Sequence, residues 1–441
     1  MTETLYHITV LSNFARGFDK YSRSYSKIGI PQSTFADRFY LLRRDELGIG
    51  IEKATPLLAK LGLDGNRLIA LETQVDAAKL HPNTRNGRGR YIESNRIPLS
   101  QVHKLEMQGD ATPRLREASM EDAMSESLRL LRSQFTPFAR IRPRAISFLP
   151  IALACPAKCP FCFSKASVST EQAPAKPDWQ KIGLWLKCAH EHGAERAVIT
   201  GGGEPTLLPR PSLVGLVESC AATFDKVVLI TNGHVLADGD PTSSISGLYR
   251  AGLRVLAISR HLHDSARSEQ LMGLDTPVES LISTWRENRE LWPELRLRLI
   301  CVLQKGGVED NATLEQYISW ASGQGVEEIC FKELYVSTSV ESVYHDRLAN
   351  DWSRQHQVPL PLLTEFLEQA GFTVESRLPW GAPVYVGQLA NRPLRIAAYT
   401  EPSLFWERTR GIARSWNVMA DGRCYVSLED RASEIEPEHV A

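Results

Sequence analysis

Ala145-Ile-Ser-Phe-Leu-Pro-Ile-Ala-Leu-Ala-Cys155-Pro-Ala-Lys-Cys159-Pro-Phe-Cys162 is an apolar run that feeds directly into an octapeptide carrying three cysteines. The run has the form of a buried strand, and the thiols follow just past its end. The pattern then recurs. Short apolar runs at Arg196–Thr200, Lys226–Thr231, Arg254–Ser259, Arg296–Leu303 and Glu328–Phe331 alternate with amphipathic stretches at Asp178–His192, Ser212–Thr223, Ser243–Ala251, Pro277–Glu290 and Ala312–Gly323. Strand and helix alternating in this way build βα units on a parallel sheet. Six such units can form an open, partial barrel, and ligands of parallel α/β architectures bind at the carboxyl ends of the strands. The octapeptide occupies such an end.

Cysteines spaced by three and then two residues let one loop wrap a metal centre. Structural zinc wants four closed ligands, and the nearest further donors, Cys188, His190 and His192, fall on an expected helix well downstream. Three thiolates from one loop suit a centre with one open position, such as an iron–sulfur cubane. A zinc-bound structural or nucleic-acid-binding module is the alternative. The second strand ends in Thr200-Gly201-Gly202-Gly203-Glu204-Pro205-Thr206. Three glycines remove every Cβ, so this backbone can approach a ligand closely, or simply make a tight βα turn.

Taken together, Cys155, Cys159 and Cys162 after strand one, aromatic Phe161 before the third cysteine, and Gly-Gly-Gly-Glu-Pro after strand two resemble the radical S-adenosylmethionine superfamily over about residues 145–335. The resemblance implies an α/β fold, a partial (β/α)6 barrel, whose three cysteines hold a 4Fe-4S cluster. The fourth iron would be chelated by S-adenosylmethionine, with Gly201, Gly202, Gly203 and Glu204 lining its methionine amino group. Reductive cleavage would give a 5′-deoxyadenosyl radical that abstracts hydrogen from a substrate. The electron would come from a flavodoxin- or ferredoxin-type donor. In this superfamily polar residues at later strand ends contact the cofactor, which points to Asn232, Ser259 and Arg260. Arg260 has the fork to grip a carboxylate, or to make a surface salt bridge. Gln304-Lys305-Gly306-Gly307-Val308 looks like the superfamily's adenine-side turn, and His261 and His263 read as proton carriers or solvated loop residues.

Cys188 and Cys220, on expected helices, read as buried apolar residues. Cys301 and Cys330 lie within strands, where a thiol facing the interior could give hydrogen to a substrate radical, as the superfamily's epimerases do; core packing is the bland alternative. The expected hairpin Trp416–Leu428 looks like the closing hairpin of the C-terminal extensions of peptide-modifying members. Beyond residue 335, however, the sequence holds only Cys424, which excludes an auxiliary cluster by itself. Nor does residue range 1–140 contain an Asp-x-His-x-x-Gly cobalamin motif.

The 441 residues are 43% apolar and 23% charged, with 51 Lys plus Arg against 52 Asp plus Glu. Near-neutrality hides a front portion, 1–150, at +7 and a remainder at −8. The expected organisation is an N-terminal α+β domain (1–140) for substrate recognition, the barrel (141–340) and a small C-terminal domain (341–441) that closes it. An N-terminal helix is expected at Glu121–Gln134. The basic loop Arg85–Arg90, with Arg96, reads as a solvated loop or as a phosphate or acidic-peptide contact. No run approaches a membrane span and the first residues lack signal-peptide order, so a cytoplasmic enzyme with no membrane partner is expected. Its substrate class is a ribosomal peptide or another small natural-product intermediate; nucleic acid is not favoured.

Overall fold

The computed structural model describes residues 2–11, 14, 27–29, 38–48, 50–51, 68–82, 89–93, 96–106, 113–132, 135–337, 342–389 and 391–440. The chain divides into two compact units, Met1–Phe135 and Thr136–Ala441.

In the first unit, β1 (Thr2–Val10), β2 (Leu68–Asp76), β3 (Gln101–Glu106) and β4 (Arg114–Ala118) form a four-stranded antiparallel sheet in that order. Tyr6, Leu68, Ala70 and Leu105 pack with Leu47 and Ile51 on one face of it. A helix, α1 (Met120–Arg132), follows β4. Ser119 opens it by accepting a hydrogen bond from the Asp122 amide at 3.0 Å, and acidic Glu121 and Asp122 suit the positive end of the helix dipole. Of the basic loop, Arg85 and Arg88 lie outside the described residues, as does Gln134 at the expected helix end.

The second unit is built on one twelve-stranded sheet. Its centre is the expected set of six strands: β5 (Ile146–Leu149), β6 (Ala197–Ile199), β7 (Val227–Thr231), β8 (Leu253–Ser259), β9 (Arg296–Leu303) and β10 (Glu328–Glu333). All pair in parallel. The connecting helices α2 (Trp179–Glu191), α3 (Arg210–Ala221), α4 (Pro241–Arg250), α5 (Val278–Glu287) and α6 (Asn311–Gly323) cover one face.

The C-terminal stretch extends this sheet at both edges instead of forming a separate body. After α7 (Leu348–Gln355) and α8 (Pro361–Gln369) come β11 (Thr373–Arg377), β12 (Pro383–Leu389) and β13 (Arg392–Tyr399). They make an antiparallel ribbon whose last strand lies parallel to β10. The expected hairpin is β14 (Trp416–Met419) with β15 (Cys424–Tyr425), followed by β16 (Glu434–Ile435). It joins the other edge, where β14 runs parallel to β5. The stretch 341–441 thus belongs to the barrel unit because its strands complete the ladders that β5 and β10 would otherwise leave open.

Eight parallel strands therefore run from β13 to β14. On a flat sheet seven spacings would hold those two about 34 Å apart. Yet Glu401, just past β13, pairs with Arg414, just before β14. The sheet must curve into an arc that stays open between these strands and is bridged by the ion pair. Alternation along the strands then sorts the side chains. Leu229, Leu256, Ile258, Leu299, Cys301 and Phe331 pack into the helical layer. Val228, Val255, Ala257 and Ile300, with Val198, Ile230 and Cys330, form an apolar belt inside the arc.

Trp416 is fully buried, and its indole N–H donates to the Ile141 carbonyl at 3.0 Å. Trp416→Ala removes both the packing and that donor. It is expected to cost about 3–5 kcal/mol and to lower the urea midpoint of the whole barrel unit in a single transition; loss of the C-terminal strands alone, in a separate earlier step, would contradict the shared sheet.

Candidate metal and cofactor centre

The backbone after β5 runs over the turn after β6. Gly203 N–H donates to the Ile151 carbonyl at 2.9 Å and Glu204 N–H to the Ala154 carbonyl at 2.8 Å. No side chain fits between these strands of backbone. A Cβ on Gly202 would lie 2.1 Å from the Ala152 oxygen, and one on Gly203 2.0 Å from the Ala154 oxygen. The glycine run is thus required first by this packing. Gln172 holds the same segment from the other side: its amide donates to the Ala152 carbonyl at 2.8 Å and accepts from the Ala420 N–H, in the β14–β15 turn, at 2.9 Å. No sequence motif marks Gln172, which lies ten residues past the cysteine octapeptide.

Held on this base, Cys155 is exposed and Cys159 and Cys162 half-buried. The Asn232 amide donates to the Cys155 sulfur at 3.7 Å. Cys159 lies 3.9 Å from the Met272 carbonyl, toward which its S–H points. Burial, and then the charges of Cys162 and Cys155, push the Cys159 thiol up to about 12. Such mutually repelling thiols need a cation among them to ionise. Among the described residues no three His, Cys, Asp or Glu side chains converge on a single ion. Cys188 is on α2 in the helical core, and its sulfur lies 3.8 Å from His192 Nδ1. Thiols spread over one loop fit a polynuclear centre, whose ligands bind separate metal ions.

Glu204 is buried and ties the ends of β6 and β7 together. Its Oε1 accepts from the Thr206 amide at 3.0 Å and from the Thr206 and Thr231 hydroxyls, both at 2.6 Å. Its Oε2 accepts from the Asn232 N–H at 2.9 Å. Phe161 leaves the octapeptide toward β8, with its ring edge-on to His261, centroids 5.0 Å apart, and 5.7 Å from Trp352 of α7. His261 Nδ1 accepts the Val302 N–H at 3.1 Å, which fixes the proton on Nε2. Burial, then Arg260 and Lys332, lower its pKa to about 3, so the ring is neutral.

Ser259 ends β8 in phase with Ala257 and so faces the inside of the arc. Arg260, one residue on, faces the helices. It does grip a carboxylate, but the protein's own: Nη2 donates to Glu279 at 2.7 Å and to the His263 carbonyl at 3.0 Å, and Nε to the Leu262 carbonyl at 2.7 Å. The guanidinium also sits 5.3 Å from the Trp320 ring, and all this commits Arg260 to structure. The two strand cysteines separate in the same way. Cys301 packs in the helical layer, whereas Cys330 faces inward beside Ile300, its partner in register. The turn Gln304–Val308 closes by the Gln304 N–H to Val308 carbonyl bond at 3.2 Å.

No family model matches the chain. It is 28% identical over 115 residues to a probable GTP 3′,8-cyclase of Methanopyrus kandleri, covering 26% of this chain and 35% of that protein. It is 25% identical over 224 residues to the GTP 3′,8-cyclase of Campylobacter jejuni, covering 49% of this chain and 66% of that protein. The matches thus span about a third and just under two thirds of these relatives. Among solved structures, SuiB of Streptococcus suis bound to S-adenosylmethionine aligns with a TM-score of 0.43 and 14% identity, over 70% of this chain and 65% of that one. Coproporphyrinogen III oxidase of Escherichia coli, described as a radical SAM enzyme, aligns with a TM-score of 0.33 and 13% identity, over 55% and 56%. The cysteine loop, the Gly-Gly-Gly-Glu turn packed beneath it and the partial sequence similarity to the two cyclases support an enzyme of the radical S-adenosylmethionine superfamily.

Proposed function

We propose that Cys155, Cys159 and Cys162 hold a 4Fe-4S cluster, that S-adenosylmethionine binds beside it, and that the enzyme abstracts hydrogen from a ribosomal peptide or another natural-product intermediate. The observation that carries this reading is the seating of three thiols, by bare backbone, on a glycine turn at the carboxyl ends of adjacent strands. When bound, the cluster supplies the single electron that cleaves S-adenosylmethionine reductively. The residues of the chain do the rest. Among the described residues Glu204 Oε2 accepts a single hydrogen bond, which leaves it a lone pair for the cofactor's ammonium group. The Asn232 amide stabilises charge on the Cys155 sulfur. Phe161 and His261 wall the site against water, and His261 presents Nε2–H as a fixed donor. Exposed Cys155 marks the side from which a flavodoxin- or ferredoxin-type donor reaches the centre. The N-terminal unit serves substrate recognition, and between its β4 and α1 lies a polar cavity of about 660 Å³ lined by Lys104, Arg116, Asp122 and Arg129 among others. No helix among the described residues is long and apolar enough to cross a membrane.

A second reading concerns the outcome of the reaction. Cys330 lies inside the arc, and burial raises its pKa, which keeps it as S–H, the form that donates a hydrogen atom. An epimerase-type quench therefore assigns the donor to Cys330 and not to Cys301.

Anaerobic reconstitution with iron and sulfide is expected to give a brown protein with about 4 iron atoms per chain, which forms 5′-deoxyadenosine from S-adenosylmethionine under a reductant. Replacing Cys155, Cys159 and Cys162 by Ala together should abolish both; a colourless protein that retains one zinc would refute the reading. Gly202→Ala leaves every ligand in place but drives a methyl into the Ala152 carbonyl. Iron content should drop severalfold, measured by ferrozine assay, with the fold intact by circular dichroism. With a substrate that supports turnover in deuterium oxide, Cys330→Ala should lose solvent deuterium from the product while Cys301→Ala keeps it; the reverse pattern would overturn the assignment.

A further inference from the structure

The N-terminal ends of the strands, opposite the cysteine loop, carry charge that the cofactor reading does not use. Arg196 precedes β6 in phase with inward Val198, and Lys226 precedes β7 in phase with inward Val228. Arg296 and Arg298 on β9 and Glu328 on β10 share the phase of Ile300 and Cys330. Side chains from four strands thus converge on one space inside the arc.

Their charges influence one another accordingly. Lys226 is pushed down to about 8, by burial first and then by Arg298, Arg296 and Arg196, with Glu328 acting the other way. Arg196 is lowered by burial and by Arg144, while Glu195 raises it.

The acids present do not balance these cations. Glu328 takes Arg296 at 2.7 Å and Arg298 at 2.6 Å. Glu195 takes Arg144 at 2.9 Å and stands 3.9 Å from Arg196. Among the described residues Lys226 has no carboxylate within ion-pair distance, and Arg144 Nη1 is buried without a hydrogen-bond partner. The four inward-phase cations Arg196, Lys226, Arg296 and Arg298 thus share one inward carboxylate, Glu328, with Glu195 only at the margin of Arg196. An excess of three positive charges in a partly desolvated recess is unfavourable by itself and is relieved by an anion. One carboxylate would balance a single charge, whereas a phosphate or pyrophosphate group carries more and accepts from several guanidinium and ammonium donors at once.

We propose that Arg196, Lys226 and Arg298 form a binding site for a phosphate-type anion inside the arc, at the end of the sheet remote from the cysteine loop. The site stands whether or not the loop carries a cluster. The anion comes either free or as the phosphate end of a larger molecule.

The test is calorimetric titration of the full-length, anaerobically reconstituted chain with inorganic pyrophosphate. Binding is expected to weaken at least about tenfold in Lys226→Met and Arg196→Gln, to persist in Lys226→Arg, and to fall with rising salt. No binding at millimolar pyrophosphate, or equal binding by the wild type and both neutral variants, would overturn the site. A nucleoside triphosphate binding more tightly than inorganic triphosphate assigns the site to the phosphate end of a larger ligand; equal affinities assign it to the free anion. Cluster colour and 5′-deoxyadenosine formation, measured on the same preparations, are expected to be unchanged in Lys226→Met, so failure of the cofactor reading and failure of the anion site register separately.

Discussion

Two stretches of bare backbone lie against each other at the carboxyl end of the sheet, and the placement of the three thiols follows from that contact. Residues 151–154 run so close to Gly202 and Gly203 that a methyl group on either would collide with a carbonyl. The contact is made specific by amides of one stretch donating to carbonyls of the other, and Glu204 extends it to the next strand through the Thr231 hydroxyl and the Asn232 amide. Asn232 then reaches back to the Cys155 sulfur. A closed circuit of hydrogen bonds therefore links the first three strand ends. Such circuits fix side chains to the precision that metal ligation requires, because each donor's geometry is constrained by the next.

The arc gives this circuit a chamber. An apolar belt of Val198, Val228, Val255, Ala257 and Ile300 lies between the thiol end and the cationic end. The charged groups are paired within the fold: Lys332 and Arg414 are held by Glu401, and Arg296 and Arg298 by Glu328. Burial alone would raise the Glu328 carboxyl, but Arg298 and Arg296 outweigh it and keep it below its ordinary value.

The six central strands and the cysteine loop were legible because periodicity and spacing are local properties. The outer strands were not. Arg392–Tyr399 and Trp416–Met419 follow no βα repeat, and what recruits them is the unpaired edge of β10 or β5, a tertiary demand. Arg260 was legible as a carboxylate-binding group but not as the partner of Glu279, because that depends on the phase of β8: Ser259 inward forces its neighbour outward. The same missing phase left Cys301 and Cys330 equivalent until the register with Ile300 separated them. Gln172 carries no signature, since its role arises from a turn some 250 residues away in sequence.

That clamp between Gln172 and the Ala420 amide also sets a schedule. The base of the cysteine loop is finished by a segment near the far end of the chain, and β5 gains its second neighbour only when residues 416–419 arrive. Contacts of such sequence separation close late, because loop entropy is lost before they form. During synthesis the thiols emerge more than 250 residues before the turn that braces them. The loop that presents the three thiols is therefore braced only after residues 416–420 have joined β5 and Gln172.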